Sequence, residues 1–349
     1  MIEKLAACFA ALGVDAYLVG GFVRDWVLYA KPGHDIDVAV FGDPSPVAQE
    51  IAQRLSGTVV PLSPAHGVIR VAGAGDSKPG ERPWSVDISG FTGSIEDDLS
   101  RRDFSINAMA VPIADWLSPD AVIDRLGGKG DLATKTIRAV SPAVFQDDPG
   151  RLLRAIRLAG QLKFRIEPGT SKQIKVDSSL LSGVSPERVR EEFLNILSLD
   201  GAKGQLEVMD HFGLFEQVIP EMQATKGVNQ PSMHYWDVWG HTMHTVEAAE
   251  LIIKGHQNSP VFSSVPWTEE SEAHFNQKAT DGHTRGTVLK LAALFHDIAK
   301  PQTKTQDDTG RTRFFGHSEQ GAALATKRLG ELRMSSKGID MVTRLVTHS

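Results

Sequence analysis

Cysteine is almost missing from this chain: Cys8 is the only one in 349 residues. A single thiol excludes an internal disulfide framework and a thiolate zinc cluster, and it fits a reducing, cytoplasmic setting. Long apolar runs are missing too. None approaches the ~18 residues needed to span a bilayer, so no membrane partner is expected. The chain also lacks a basic excess, with 37 Lys and Arg against 43 Asp and Glu and a net charge of −6. That balance excludes a general nucleic-acid coat but leaves room for a local basic groove. No internal repeat or low-complexity tract is present. What remains is ordinary globular composition, 41% hydrophobic and 23% charged, on a chain long enough for two or three domains. At the start, Ile2, Leu5, Phe9 and Leu12 with Glu3, Lys4 and Asp15 read as a surface helix and not a secretion signal.

The fold class read from periodicity is α+β. Residues 1–140 form a mixed-sheet head, 141–230 an all-α neck, and 231–349 a further all-α unit. In the head, the apolar runs Ala16–Val19, Ile36–Phe41, Val59–Leu62, Val68–Ala72 and Val86–Ile88 are bounded by turn residues and predict strands. Residues 73–83 are turn chemistry throughout and join two of them. From about Pro142 the period becomes helical over Arg151–Phe164, Glu187–Leu199 and Gly204–Phe212, with no strand expected. The polar span Gly255–Gly286 is long for a loop and predicts disorder or an insertion. The chain stops at Thr347-His348-Ser349 inside a helix-like pattern, which predicts a truncated end.

The chemistry starts at Leu18-Val-Gly20-Gly21-Phe-Val-Arg24-Asp25, followed by Asp35-Ile36-Asp37. The glycines close an apolar run and open a helical one, so backbone N–H groups can face phosphate oxygens, with Arg24 as a forked donor. A period of two puts Asp35 and Asp37 on one face of a strand, where like charges repel unless a divalent cation lies between them. Hard oxygen ligands suit Mg²⁺. Further on, Arg101-Arg102-Asp103 and Asn107 follow Glu96-Asp97-Asp98. The arginines either pair with those acids on a surface, or reach a triphosphate while Asp103 or Asn107 reads a ribose hydroxyl. Asp147-Asp148-Pro149-Gly150 reads as an acidic helix N-cap. Beyond it Arg151, Arg154 and Arg157 advance three at a time, opposite Leu152, Leu153, Ile156 and Ala159. This stripe is either a solvated face or a surface that reads a nucleotide.

These motifs, with Asp124-Arg-Leu-Gly-Gly128 running to Ile137-Arg138 and with Glu187-Arg188-x-x-Glu191, occur together in one order. In that order the chain resembles the class II tRNA nucleotidyltransferases, the CCA-adding family of the polymerase-beta-like superfamily. The resemblance covers about the first 200 residues. It implies catalytic carboxylates Asp35 and Asp37 on Mg²⁺, with Asp87 matching a third superfamily carboxylate. It implies nucleotide binding by Gly20, Gly21, Arg24, Arg102, Asp103, Asn107, Asp148, Arg151, Arg154 and Arg157, with Asp148 and Arg151 selecting the base. Cytosine and adenine each present an amino donor beside a ring-nitrogen acceptor, whereas uracil and guanine present the reverse. A carboxylate beside guanidinium donors therefore suits C and A. The implied partners are tRNA, CTP and ATP.

Two departures stand out. Asp147 replaces a usual Glu and is expected to cap the helix or brace Arg151. Only residues 89–100 separate the Asp87 strand from Arg101, where many full CCA-adding members carry a longer flexible segment. Shortened segments occur in relatives that add only two cytidines. Addition of CC or A alone, or poly(A) synthesis, is therefore the alternative within the class.

A second constellation, His241, His296-Asp297, His317 and His348, puts two ligand types side by side and points to a transition-metal site. The block resembles an HD-type domain, which many of these enzymes carry. It opens an alternative from another class, a metal-dependent phosphohydrolase with an RNA-binding head. A small-molecule nucleotidyltransferase would share the glycine turn and acidic pair but has no use for the Asp148–Arg157 stripe. The sequence leaves the oligomeric state open.

Overall fold

A computed structural model describes residues 1–31, 35–63, 67–73, 83–230, 235–255 and 267–349. The turn-rich 74–82 therefore lies outside the described residues. Contacts divide the chain into two compact units, one of residues Met1–Val144 with Arg165–Thr170, the other of Phe145–Phe164 with Ser171–Ser349.

The first unit is built on a six-stranded mixed sheet. Its strands are β1 (Ala16–Val19), β2 (Ile36–Phe41), β3 (Thr58–Ser63), β4 (Val68–Gly73), β5 (Trp84–Phe91) and β6 (Ala110–Pro112), in the spatial order β3-β4-β5-β2-β1-β6. Only β2 and β5 run parallel. Around it lie α1 (Ile2–Leu12), α2 (Gly20–Tyr29), α3 (Ser45–Arg54), α4 (Ile95–Ser100) and α5 (Gly128–Ala133). Val19, Ala39, Phe91, Ile95, Leu99, Ala108 and Ala110 form one buried cluster. This burial fixes the register of the sheet, because a one-residue slip would turn each apolar face outward.

The short segment 89–100 has a definite structure. It completes β5, then enters α4 through a capping box in which Ser94 and Asp97 satisfy each other's backbone N–H groups. Leu99 is fully buried. The motif Asp124–Gly128 is likewise structural: Asp124 accepts from the N–H groups of Gly128 (2.7 Å) and Lys129 (2.9 Å), closing the first turn of α5.

The helical reading beyond 142 needs one correction in this unit. Arg165–Ile166 forms strand β8, which pairs in parallel with β7 (Thr136–Ile137). Two residues are too few for an alternation to show in sequence.

The second unit is helical. It contains most of α6 (Val144–Asp147) and of α8 (Pro168–Asp177), each of which begins in the first unit, with α7 (Arg151–Leu162), α9 (Pro186–Ser198), α10 (Ala202–His211), α11 (Phe215–Val218) and α12 (Val238–Ile253). It continues with α13 (Glu269–Asn276), α14 (Arg285–Phe295), α15 (Lys300–Thr303), α16 (His317–Glu331) and α17 (Ser336–Thr347). Part of the span read as disordered is ordered. Residues 256–266 lie outside the described residues, but α13 follows with a Thr268–Ser271 capping box, and β9 (Lys278–Thr280) pairs with β10 (His283–Thr284). A second hairpin joins β11 (Lys304–Gln306) to β12 (Thr312–Phe314). Among the described residues no helix is long and apolar enough to cross a membrane.

Candidate active site

Register places three charged side chains in one row across the head sheet. Asp37 on β2 faces Asp87 on β5, and Asp87 faces Arg70 on β4. Paired positions project to the same side of a sheet. Arg70 closes on Asp87 with two bonds, Nε to Oδ1 at 2.7 Å and Nη2 to Oδ2 at 2.8 Å. The Arg70 pKa is raised, chiefly by the Asp87 hydrogen bonds and, against the cost of burial, by the charges of Asp87, Asp35 and Asp37. Asp87 is thus neither an isolated surface acid nor an open ligand. Asp35 stands exposed in the bend just before β2, whose pairing begins at Ile36. The expected shared strand face therefore holds for Asp37 alone.

The glycine turn lies directly against that row. Gly20 has φ +67°, and a Cβ there would come within 3.1 Å of Asp37 Oδ2 and 3.5 Å of Arg102 Nη1. The left-handed backbone favours glycine, and the space is tight as well. Arg24, one turn into α2, is buried. Its Nε donates to Asp25 Oδ1 at 2.7 Å and its Nη1 to Asn107 Oδ1 at 3.0 Å. Asn107 Nδ2 reaches both oxygens of Asp103, at 3.2 and 3.3 Å, and Asp103 Oδ1 accepts the Phe104 N–H at 2.7 Å. Arg102 donates from Nε and Nη2 to Asp98 Oδ2, at 3.0 and 2.7 Å, while Nη1 lies over Gly20. This arginine thus pairs with an acid, as one of the two readings had it, and it also faces the glycine turn.

In the second unit, α7 divides as its sequence divides. Arg151, Arg154 and Arg157 are partly exposed, while Leu152, Leu153, Ala155, Ile156, Leu158 and Ala159 are buried. The N-terminus differs from expectation. Its cap residue is Gly150 with no side-chain cap, and Asp147 is the exposed last residue of α6. Asp148 does the local bonding instead, accepting from Gly150 N at 3.1 Å and from Arg188 Nη2 at 2.9 Å on each oxygen. Arg151 Nε stands 3.9 Å away. Burial alone would raise the Asp148 carboxyl, but the Arg188 hydrogen bonds and charge outweigh it and hold the pKa below its usual value. Arg157 is committed to Glu192, at 2.6 and 3.3 Å.

Three family models match the chain in order. They are the Poly A polymerase head domain over 16–138, the probable RNA and SrmB-binding site of polymerase A over 163–225, and the HD domain over 238–349. An A-adding tRNA nucleotidyltransferase of Deinococcus radiodurans is 33% identical over 338 residues, 95% of this chain and 68% of that protein. A CC-adding tRNA nucleotidyltransferase of Thermus thermophilus is 31% identical with the same coverage. The chain belongs to the tRNA nucleotidyltransferase family. Among solved structures, a tRNA nucleotidyltransferase complexed with a primer tRNA and an incoming ATP analog is 27% identical, with TM-score 0.60 over 84% of this chain and 75% of that one. A tRNA-processing enzyme in an apo form is 25% identical, with TM-score 0.64 over 99% and 77%. Head and HD families alike are metal-dependent.

Within this nucleotidyltransferase, His241, His296 and Asp297 are the group among the described residues that brings three ligand atoms within 4.8 Å of one another. Asp35, Asp37 and Asp87 do not converge in that way. His241 Nε2 is 3.2 Å from His296 Nε2 and 3.4 Å from Asp297 Oδ2, and His296 Nε2 is 3.1 Å from the same oxygen. The residues fit a metal. His296 Nδ1 lies 2.8 Å from Ala293 O, which fixes the ring and directs Nε2 inward. Asp297 Oδ2 is buried without a hydrogen bond, Lys300 Nζ approaching to 2.7 Å off the bonding angle. Burial would raise the Asp297 carboxyl, yet His296 and Lys300 hold it well below the usual carboxylate range. His317 faces the other oxygen, at 3.6 Å, and stands outside the cluster. His348 is the exposed C-cap of α17.

Sequence reasoning assigned no role to Arg70 or Glu192, named Arg188 only within the Glu187–Glu191 motif, and offered Asp98 only as one of three surface acids for the arginines; each of the four grips a predicted site residue. Arg70 carried a signal of its own, as a charge in the middle of the apolar run Val68–Ala72.

Proposed function

We propose that this protein extends the 3′ end of tRNA with C and A nucleotides from CTP and ATP, without a nucleic-acid template, in the cytoplasm. The observation that carries the reading is Asp37 Oδ2 pressed against the positive-φ Gly20 at the start of α2. It sets an acid for a divalent ion beside N–H groups suited to phosphate oxygens. Asp35 and Asp37 hold Mg²⁺, which, when bound, eases deprotonation of the terminal ribose hydroxyl and stabilises leaving pyrophosphate. Asp87, held by Arg70, would add negative charge near that ion. Gly20, Gly21 and the adjoining Arg102 Nη1 receive phosphates, while Arg24 keeps Asn107 and Asp103 rigid for the ribose. Asp148, kept ionised by Arg188, accepts from the amino group of C or A, with Arg151 donating to the ring nitrogen. Arg154 and Arg157 extend the basic face of α7.

A second reading within the class is addition of CC alone, favoured by the compact, capped α4 where a flexible segment would lie. Incubating the protein with tRNA lacking its 3′ end and each triphosphate, then sequencing the products, separates the two. The HD cluster supports a transition metal held by His241, His296 and Asp297, with His317 adjacent. Phosphoester hydrolysis there would survive loss of Asp35 and Asp37 but not of His296 or Asp297.

A further inference from the structure

Lys300 sits against the one acid of the HD cluster. Asp297 and Lys300 lie three residues apart in the turn from α14 into α15, which the Lys300 N–H closes on Asp297 O at 3.0 Å. Neighbours at that spacing share a face, and Nζ reaches Asp297 Oδ2 at 2.7 Å. The same oxygen is approached by His241 Nε2 and His296 Nε2, at 3.4 and 3.1 Å. The cluster therefore offers its single carboxylate to two cations, an ammonium from the chain and a metal from outside.

The ammonium is held from several sides. Lys300 is 9% exposed. Its Nζ also donates to Gln230 Oε1 at 2.7 Å and stands over the Phe314 ring, 5.4 Å from the centroid. A carboxylate, an amide oxygen and an aromatic face together suit a positive charge. A metal bound to Oδ2 at roughly 2 Å would stand within about 5 Å of Nζ. Like charges that close in a partly buried site repel strongly. If the ammonium stays, it opposes the metal, and if it swings away, it gives up three partners. Either course weakens metal binding.

We infer that Lys300 makes metal binding at the HD cluster conditional on an anion, so that a divalent ion and a phosphoryl group bind together and not one after the other. The inference rests on reading His241, His296 and Asp297 as a metal site. With neutral imidazoles, the charges of Asp297 and Lys300 cancel, and a divalent ion adds two positive charges that nothing in the cluster offsets. A doubly charged phosphoryl group offsets both. Coupled binding is reciprocal, so the metal raises the affinity for the anion by the same factor as the anion raises that for the metal.

Titration of the full chain with Co²⁺, followed by visible absorption with and without methylphosphonate, tests this. Imidazole ligation intensifies the Co²⁺ bands, and the part of the signal lost in His241→Ala belongs to the HD cluster and not to the head. Lys300→Met should bind Co²⁺ at least about tenfold more tightly than wild type when no anion is present. Methylphosphonate should tighten Co²⁺ binding to wild type about tenfold and to Lys300→Met much less. Lys300→Gln, which keeps a donor for Gln230 without the charge, should follow Lys300→Met, and it decides the matter where the methionine variant does not fold. The inference is overturned if the neutral variants bind Co²⁺ no more tightly than wild type, or if methylphosphonate tightens binding equally in all of them. A Co²⁺ signal that does not depend on His241 in any of these proteins overturns the metal reading itself.

Discussion

Arg188 reaches across forty positions of sequence to place one nitrogen, Nη2, 2.9 Å from both carboxylate oxygens of Asp148. The pairing fixes an acceptor in orientation and keeps it ionised, which is what recognition of an amino group demands. It also explains why an Arg on α9 accompanies an Asp at the start of α7.

Removing the guanidinium should therefore loosen base choice. Arg188→Ala is expected to lower kcat/KM for CTP about tenfold, the low end for a charged hydrogen bond because the arginine is half exposed. Discrimination against UTP should fall with it. Only one nitrogen makes the contact, so Arg188→Lys should recover much of the loss, unlike a forked site. The sign of the pH effect is fixed too. Asp148 has a depressed pKa, so losing Arg188 moves the acid limb of the activity profile to higher pH. An unchanged limb in Arg188→Ala would remove Arg188 from base selection.

Asp37→Asn keeps the shape of the residue and removes its charge. Nucleotide addition should drop at least about 10³-fold, the several kcal/mol that a ligated divalent ion supplies. Circular dichroism and the melting midpoint should stay close to wild type, since Asp37 is only half buried on its strand. Asp35→Ala should behave alike. Near-normal incorporation by either variant would refute the metal assignment.

Arg70 makes the opposite prediction. It balances a row in which Asp37 and Asp87 are neighbours. In Arg70→Met the two acids face each other with no guanidinium neutralising Asp87 from the far side, so the fold should melt earlier without Mg²⁺ and gain more on its addition. Thermal melts across a Mg²⁺ titration read both effects. Equal Mg²⁺ responses in the two proteins would show that the row and the ion are uncoupled.

The sequence was legible where burial is periodic. The strands β1, β2 and β5 and the two faces of α7 follow from alternation or from a 3.6-residue period, and Gly20 from the need for a tight turn. It was opaque where structure depends on distant partners. β7 and β8 are two residues each and exist only through each other. Helix α13 carries no buried residue, so it lacks an apolar stripe and is marked only by its Thr268 capping box. Asp35 missed its strand because pairing with β5 begins one residue later, at Ile36 opposite Val86. Arg188 and Glu192 face residues 35–40 positions away, a relation that no local pattern encodes.

Glu250 links the end of α12 to the start of α10 and to Lys290 on α14, and its ionisation should be visible in stability. Burial would raise its carboxyl, but the Gly201 N–H, the Lys290 charge, Lys254 and the Ala202 N–H lower it from 4.5 to about 2. A depressed folded pKa adds stability that is fully present above the unfolded value and is lost as pH falls through the folded one. That lowering corresponds to an upper bound of roughly 3 kcal/mol at neutral pH. Glu250→Gln removes that term and leaves Lys290, 4% exposed, without its counter-charge. The variant should melt well below wild type at pH 7, and the gap should narrow between pH 5 and 2 as the wild-type carboxylate takes up its proton. A gap that stays constant over that range would mean that Glu250 acts through packing and hydrogen-bond geometry, and that its charge contributes nothing to holding these helices together.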